Sequence, residues 1–276
     1  MTSDLGQRLT VAAIGIPVTV AVTYAGGALF AVGLAVLAAV AVWELGRMLA
    51  ARGDRFLRVP GMILAASYPL AALYLESGDA WSITLAALVL LVGTSTLRIA
   101  PADRPFQAAA LTLAAAVYVG GLISFGVPLR EGFTDSPLEG TLFFFLPVAL
   151  TWLADTAAYF GGRALGKRKL SPVISPNKTV EGAVAALLAG PIGALFYGFV
   201  VLPRLGSSLG APGLVALGLV VAASATLGDL AESALKRECG VKDSSGLLPG
   251  HGGLLDRMDS LLWSIPAACV FLLVFL

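Results

Sequence analysis

Charge is what this sequence has least of: Asp, Glu, Lys and Arg make up 13% of its 276 residues, against 58% hydrophobic residues. Soluble domains average about 25% charged. So sparse a supply cannot cover a water-exposed surface, which excludes a soluble globular domain and leaves an integral membrane protein. Histidine occurs once, at His251, and cysteine twice, at Cys239 and Cys269. One cysteine lies in a charged stretch and the other in the last apolar run, at different depths, so neither a disulfide nor a CxxC site is implied. The net charge of +1 gives no basic or acidic excess and no nucleic-acid footprint. No internal repeat, low-complexity tail or soluble domain stands out. The apolar run after Arg8 begins as a signal peptide would, but more apolar runs follow at once and no cleavage site is evident. It reads as a retained first span.

Long apolar runs are plentiful. About 20 residues at 1.5 Å rise cross a ~30 Å hydrocarbon core. Nine runs approach that length: 9–24, 28–45, 60–75, 81–97, 106–127, 141–160, 182–202, 213–235 and 261–276. The expected fold is all-α, a polytopic membrane protein of about nine transmembrane helices. Assigning alternate loops to alternate sides puts sixteen of the eighteen Lys and Arg residues on the side of the N-terminus, and only Arg130 and Arg204 on the other. By the positive-inside rule the N-terminus is then cytoplasmic and the C-terminus external, which an odd number of spans requires. Residues 1–140 hold about five spans. Residues 141–276 hold about four, with cytoplasmic loops at 161–181 and 236–258, and water-soluble chemistry must sit in these loops and the span ends beside them.

The stretch 229–260 concentrates what charge there is. It carries six carboxylates, four basic residues and the only histidine. Asp229, Glu232, Ser233 and Lys236 are spaced i, i+3, i+4, i+7 and share one helical face. An acid inside a span costs about 2.5 to 3.5 kcal/mol on insertion scales, so this face should turn toward protein, metal, substrate or water. It either binds a metal or substrate, or holds helices together through an internal acid–Lys236 pair. Asp256, Arg257 and Asp259 open the ninth span, where acids also complement a helix dipole. Just before them, Gly250, Gly252 and Gly253 surround His251 and permit close backbone approach to a bulky anion, unless they only form a hairpin. His251 fits a direct role or a structural hydrogen bond.

After the sixth span, Lys167, Arg168 and Lys169 suit a topological or headgroup-binding role. Ser175 and Pro176 have the pattern of a helix N-cap with proline at the first helical position, which would aim free amides, Lys178 and the Thr179 hydroxyl at a phosphate. The spacing from Gly161 to Lys167 matches a P-loop by coincidence. Arg168 stands where Ser or Thr must hold the cation, and an apolar span precedes it instead of a strand. Asp155, four residues from both Thr151 and Tyr159, should face the protein interior. Glu44 either faces the interior in the same way or snorkels to the interface, and the second is the expectation.

Together these residues form a recognisable signature. Ser233, Lys236, Arg237, Lys242, Asp243, the run 249–253, Asp256, Arg257 and Asp259 resemble the signature of the CDP-diacylglycerol synthases, or phosphatidate cytidylyltransferases. The likeness extends to Ser175, Asn177, Lys178, Thr179, Glu181 and Gly182, and to Asp155, Thr156 and Tyr159. It covers the C-terminal half, the first five spans matching only in kind. Ser245 departs from the pattern, since many relatives have glycine there and here glycine follows at Gly246. The resemblance implies transfer of the cytidylyl group of CTP to phosphatidate, with Mg²⁺ as cofactor, by a homodimer in the cytoplasmic membrane whose site faces the cytoplasm. It implies Asp229 and Asp256 as metal ligands. Lys236 and Arg257 join them as catalytic residues, and Ser175, Asn177, Lys178, Thr179, Ser233, Arg237, Lys242, Asp243, His251, Gly252 and Gly253 as substrate-binding residues.

The chemistry suits these residue types. A phosphatidate phosphate is largely ionised near neutral pH, its second pKa being about 6, so no general base is required. What is needed is to position two anions and neutralise charge on the α-phosphorus and the departing pyrophosphate. Another CTP-dependent lipid enzyme fits the same features. A cation-coupled transporter would also bury acids among apolar spans, but the broken helix pairs in repeated halves are not evident. A CDP-alcohol phosphotransferase is disfavoured because its D-G-x-x-A-R element is missing.

Overall fold

A computed structural model describes residues 2–75, 79–247 and 252–276, with the side chains of 2–12 and 79–81 outside that description. His251, Pro249 and Gly250 also lie outside the described residues. The chain is almost wholly helical, as lipid demands: a helix satisfies its own backbone hydrogen bonds where no water can. Six helical segments are long and apolar enough to cross a membrane, namely Gly27–Ala51, Pro101–Glu131, Pro137–Leu165, Val180–Val201, Pro203–Glu238 and Leu255–Phe275. The other three apolar runs are helical too, with described apolar stretches at Ala13–Ala25 and Ser82–Arg98 in two of them. Among the described residues, length and composition thus qualify six of the nine expected spans. The fold is that of an all-α polytopic membrane protein.

The helices fall into two compact units, Met1–Glu131 with Glu238–Arg257, and Gly132–Arg237 with Met258–Leu276. The first contains α1 (Thr2–Ala25), α2 (Gly27–Ala51), α3 (Arg58–Tyr74), α4 (Asp79–Arg98), α5 (Pro105–Ala116), a π-helical turn at Val117–Gly121, α6 (Leu122–Ser124) and α7 (Gly126–Glu131). In α2 the buried positions Phe30, Ala31, Leu34, Ala38, Ala41, Val42 and Leu45 recur at helical spacing, with alanine at three of them. Small side chains let backbones approach closely, which replaces the hydrophobic drive that lipid cannot supply. One such approach is at Gly120, where any Cβ would run into the Ala65 backbone of α3. Cys239 is free and buried in this unit, and burial pushes its thiol above the ordinary range.

Arg130, one of the two basic residues outside the charge asymmetry, proves to be a structural clamp. Only 4% exposed, it donates from Nε to the Thr23 carbonyl at 2.6 Å and from Nη2 to the Tyr24 carbonyl at 2.8 Å. It therefore caps the end of α1, whose last carbonyls have no helical partner. Its neighbour Glu131 accepts the Gly27 amide at 2.6 Å, at the start of α2. Between them Gly26 adopts φ 65°, and a Cβ there would lie 2.7 Å from Arg130 Nη2. Arg130→Met should destabilise this unit by about 3 kcal/mol, since it strands two carbonyls and an acid. Thermal unfolding in detergent measures this, and a melting curve superposing on the wild type's would contradict it.

The second unit is built on α8 (Pro137–Leu165), a hairpin of β1 (Lys169–Ser171) and β2 (Ser175–Thr179), α9 (Val180–Phe196) with a π-helical turn at Tyr197–Val201, and α10 (Pro203–Glu238). The short α11 (Leu255–Met258) leads into α12 (Leu261–Phe275), which closes the chain. Gly210, at φ 64° and ψ 177°, breaks the helical path of α10 two residues before Pro212. Ala154 of α8, Ala186 of α9 and Ala222 of α10 form a buried cluster. Thr151 donates to Ser264 Oγ of α12 at 2.9 Å, which satisfies two buried hydroxyls inside the apolar layer. Arg204, the other exceptional basic residue, pairs with Glu139 at 3.0 Å.

Candidate active site

In the second unit, the acidic face read from α10 exists as such. Ser233 Oγ points to Asp229 Oδ1 at 3.5 Å, and Lys236 Nζ meets Glu232 Oε2 at 2.8 Å. Glu232 is 1% exposed, so its charge is matched inside the protein. Two further segments bring charge to this face. Lys178, at the end of β2, places Nζ 2.7 Å from Asp229 Oδ2. Asp259 arrives because Gly228 lets the chain approach, a Cβ there falling 2.6 Å from the Asp259 carbonyl oxygen. Asp155 of α8 lies within electrostatic reach of Asp229, Asp259 and Lys178. Four carboxylates thus share two lysines, which leaves a local excess of negative charge that a cation would offset.

The hairpin alters one expectation. Ser175 is not a helix N-cap: it pairs with Ser171, as Thr179 pairs with Lys169, so the whole 175–179 segment is a strand. The cap is Thr179, whose Oγ1 accepts the Gly182 amide at 3.1 Å. Ser and Thr cap equally well by type. Strand pairing keeps Ser175 and Pro176 extended, and the helix can begin only where it ends. Glu181 accepts the Lys167 amide at 3.0 Å and the Arg168 amide at 3.2 Å, tying the loop to the first turn of α9. Asn177 is exposed on β2, and Arg237 donates from Nε to the Ile174 carbonyl at 3.4 Å. Gly161 to Leu165 are the last turn of α8, in keeping with the rejection of a P-loop. Asp155 is exposed although Thr151, one turn earlier, is buried, so the two do not share an interior face.

The run 244–256 belongs to the first unit. Asp256 Oδ2 accepts hydrogen bonds from the Ser244 amide and hydroxyl, both at 2.9 Å, and from the Gly253 amide at 2.8 Å. Gly252 sits at φ 80°, where a Cβ would come 2.9 Å from the same oxygen. Glycine here does serve an anion, and that anion is the protein's own carboxylate. Lys242, Asp243 and Arg257 are exposed. Glu44 contradicts its expected snorkelling, being fully buried and accepting the amides of Leu254 at 2.9 Å and Leu255 at 2.7 Å. The reason is local: these donors, with two serine hydroxyls, satisfy the charge better than a reach to the interface would.

Mg²⁺ takes hard oxygen ligands and is usually held by one or two carboxylates plus substrate phosphates. Asp229 and Asp256 have that chemistry, and the hydrogen bonds on Asp256 orient it as ligating carboxylates usually are. Among the described residues no three His, Cys, Asp or Glu side chains are grouped to enclose an ion.

The cytidylyltransferase family pattern matches residues 6–275. The chain belongs to the cytidylyltransferase family. It is 34% identical to the phosphatidate cytidylyltransferase of Staphylococcus epidermidis over 271 residues, 96% of this chain and 98% of the relative. It is 33% identical to that of Staphylococcus aureus over 274 residues, again 96% and 98%. The Haemophilus influenzae phosphatidate cytidylyltransferase is 43% identical over 136 residues, 49% of this chain and 47% of that relative. The likeness therefore includes the N-terminal helices that sequence motifs matched only in kind. Within this cytidylyltransferase-family chain, sequence reading missed Glu44 of α2 as the acceptor for the signature loop and Ser244 as its donor. A lone acid at the end of an apolar run was the available signal for the first.

Proposed function

We propose that this chain transfers the cytidylyl group of CTP to phosphatidate, forming CDP-diacylglycerol and releasing pyrophosphate. Carrying the reading is the match, over 96% of the chain, to relatives bearing the name phosphatidate cytidylyltransferase. A phosphate oxygen of phosphatidate attacks the α-phosphorus of CTP, and the bond from that phosphorus to the β-phosphate bridge breaks. Lys178, Lys236 and Arg237 in the second unit, and Lys242 and Arg257 in the first, bind phosphates. Ser175, Asn177, Thr179, Ser233, Asp243, His251, Gly252 and Gly253 complete substrate binding. Asp229 and Asp256 are the carboxylates that would hold Mg²⁺, which when bound supplies positive charge to the α-phosphate and the leaving pyrophosphate. Lys178 rests against Asp229 and is thus poised to exchange a carboxylate for a phosphate.

The sixteen-to-two distribution of basic residues supports nine spans with the N-terminus and the site on the cytoplasmic side, where CTP is available. A homodimer in the cytoplasmic membrane is part of the same reading. Purified protein with phosphatidate, CTP and Mg²⁺ should yield CDP-lipid and pyrophosphate in equal amounts. A phosphorylated lipid with CDP would instead make it a kinase, and cation flux without CTP consumption in proteoliposomes would make it a transporter.

A further inference from the structure

Glu44 is a fully buried acid that the proposed chemistry does not use. An ionised carboxylate away from water costs several kcal/mol unless its lone pairs are filled. Three donors fill them outright and a fourth, the Ser244 hydroxyl, divides its one proton between Glu44 and Asp256; all come from residues 244–255. Ser245 Oγ reaches Oε1 at 2.5 Å and the Leu254 amide reaches it at 2.9 Å. Ser244 Oγ reaches Oε2 at 3.1 Å and the Leu255 amide reaches it at 2.7 Å. Each oxygen therefore takes one hydroxyl and one amide, so a single side chain of α2 fastens both ends of the signature loop. Ser245, the departure from the family pattern, supplies one of the four.

We propose that Glu44 is the positioning residue of Asp256, acting through Ser244. The Ser244 hydroxyl has one proton and two carboxylate neighbours, Asp256 Oδ2 at 2.9 Å and Glu44 Oε2 at 3.1 Å. It can turn to Glu44 without losing a hydrogen bond. Asp256 Oδ2 then keeps the amides of Ser244 and Gly253, which hold its direction, while one lone pair is released for a cation. Gly253 fits this knot only as glycine, since a Cβ would strike Ser244 Oγ. The proposal rests on the cytidylyltransferase reading for its consequence but not for its geometry.

Glu44→Gln tests it. A glutamine keeps one oxygen and turns the other into an NH₂, and whichever way it lies, the NH₂ faces either the Leu254 or the Leu255 amide, which cannot reverse. Hydrogen exchange of the purified protein should show one of these amides exchanging at least tenfold faster than in the wild type. The Mg²⁺ concentration for half-maximal CDP-lipid synthesis should rise about tenfold. Wild-type exchange at both leucines overturns the anchor, and faster exchange with an unchanged Mg²⁺ response overturns the positioning role. If Glu44→Gln fails to accumulate, Ser244→Ala removes the one hydroxyl that stands between Glu44 and Asp256 and leaves the Leu254 and Leu255 amides on Glu44. With no hydroxyl left to compete for Asp256 Oδ2, it should leave the Mg²⁺ requirement at or below the wild type's with the Leu255 amide still protected, and a raised requirement overturns the proposal. A wild type that makes no CDP-lipid would remove the proposed activity, and the exchange result alone would then decide whether Glu44 anchors the loop.

Discussion

Asp229→Asn should lower kcat/KM for CTP about 10³-fold, equivalent to about 4 kcal/mol of lost transition-state stabilisation. The substitution is isosteric and removes a charge from a helix that enters the membrane, so insertion becomes less costly and folding is not the target. Two effects then oppose each other. Loss of the carboxylate weakens the hold on a cation, while Lys178, 2.7 Å away, loses its counter-ion and becomes a freer partner for phosphate. The first acts on charge that develops in the transition state and the second on ground-state binding, so kcat should fall while KM for CTP holds or drops. Labelled CTP with a Mg²⁺ titration separates them. Asp256→Asn should produce a loss of similar size, and near-normal turnover of either variant at limiting Mg²⁺ would sink the metal assignment.

Gly253→Ala should cost about 10²-fold in kcat/KM, or about 3 kcal/mol, although it adds a single methyl group. That methyl would strike Ser244 Oγ and lie 2.7 and 2.8 Å from the two oxygens of Glu44. Neither neighbour can yield cheaply, because Ser244 is held between two carboxylates and Glu44 by the Ser245 hydroxyl and two amides besides. The loop must move instead, and Asp256 loses the Gly253 amide that orients it. Gly246→Ala is the matched control: a Cβ there meets nothing within 4 Å, and its φ is not left-handed. It should stay within about twofold of the wild type. Equal activities of the two variants in the CDP-lipid assay would refute the packing argument.

The legible part of the site was the part written at helical spacing. Asp229, Glu232, Ser233 and Lys236 repeat at one turn, so any helix over those residues joins Ser233 to Asp229 and Lys236 to Glu232. Thr179 and Ser175 show the limit of that reasoning. Both are capping residues near a helix start, and only the pairing of β2 with β1 decides between them. Likewise the spacing of Asp155 from Thr151 is one turn, yet one is exposed and the other buried, because the neighbours that cover a helix face are not encoded in its own periodicity.

By itself the sequence determined that the chain is a helical membrane protein, that its charge is confined to a few span ends and loops, and which signature those residues form. Scarce charge, run length and local spacing are all properties of short stretches, and short stretches carry them into any fold. Only the tertiary structure decided that Asp259 reaches Asp229 through the close approach at Gly228, and that Glu44 closes on a loop 200 residues further along. A buried acid accepts whatever donors surround it, and which donors those are depends on how distant segments meet.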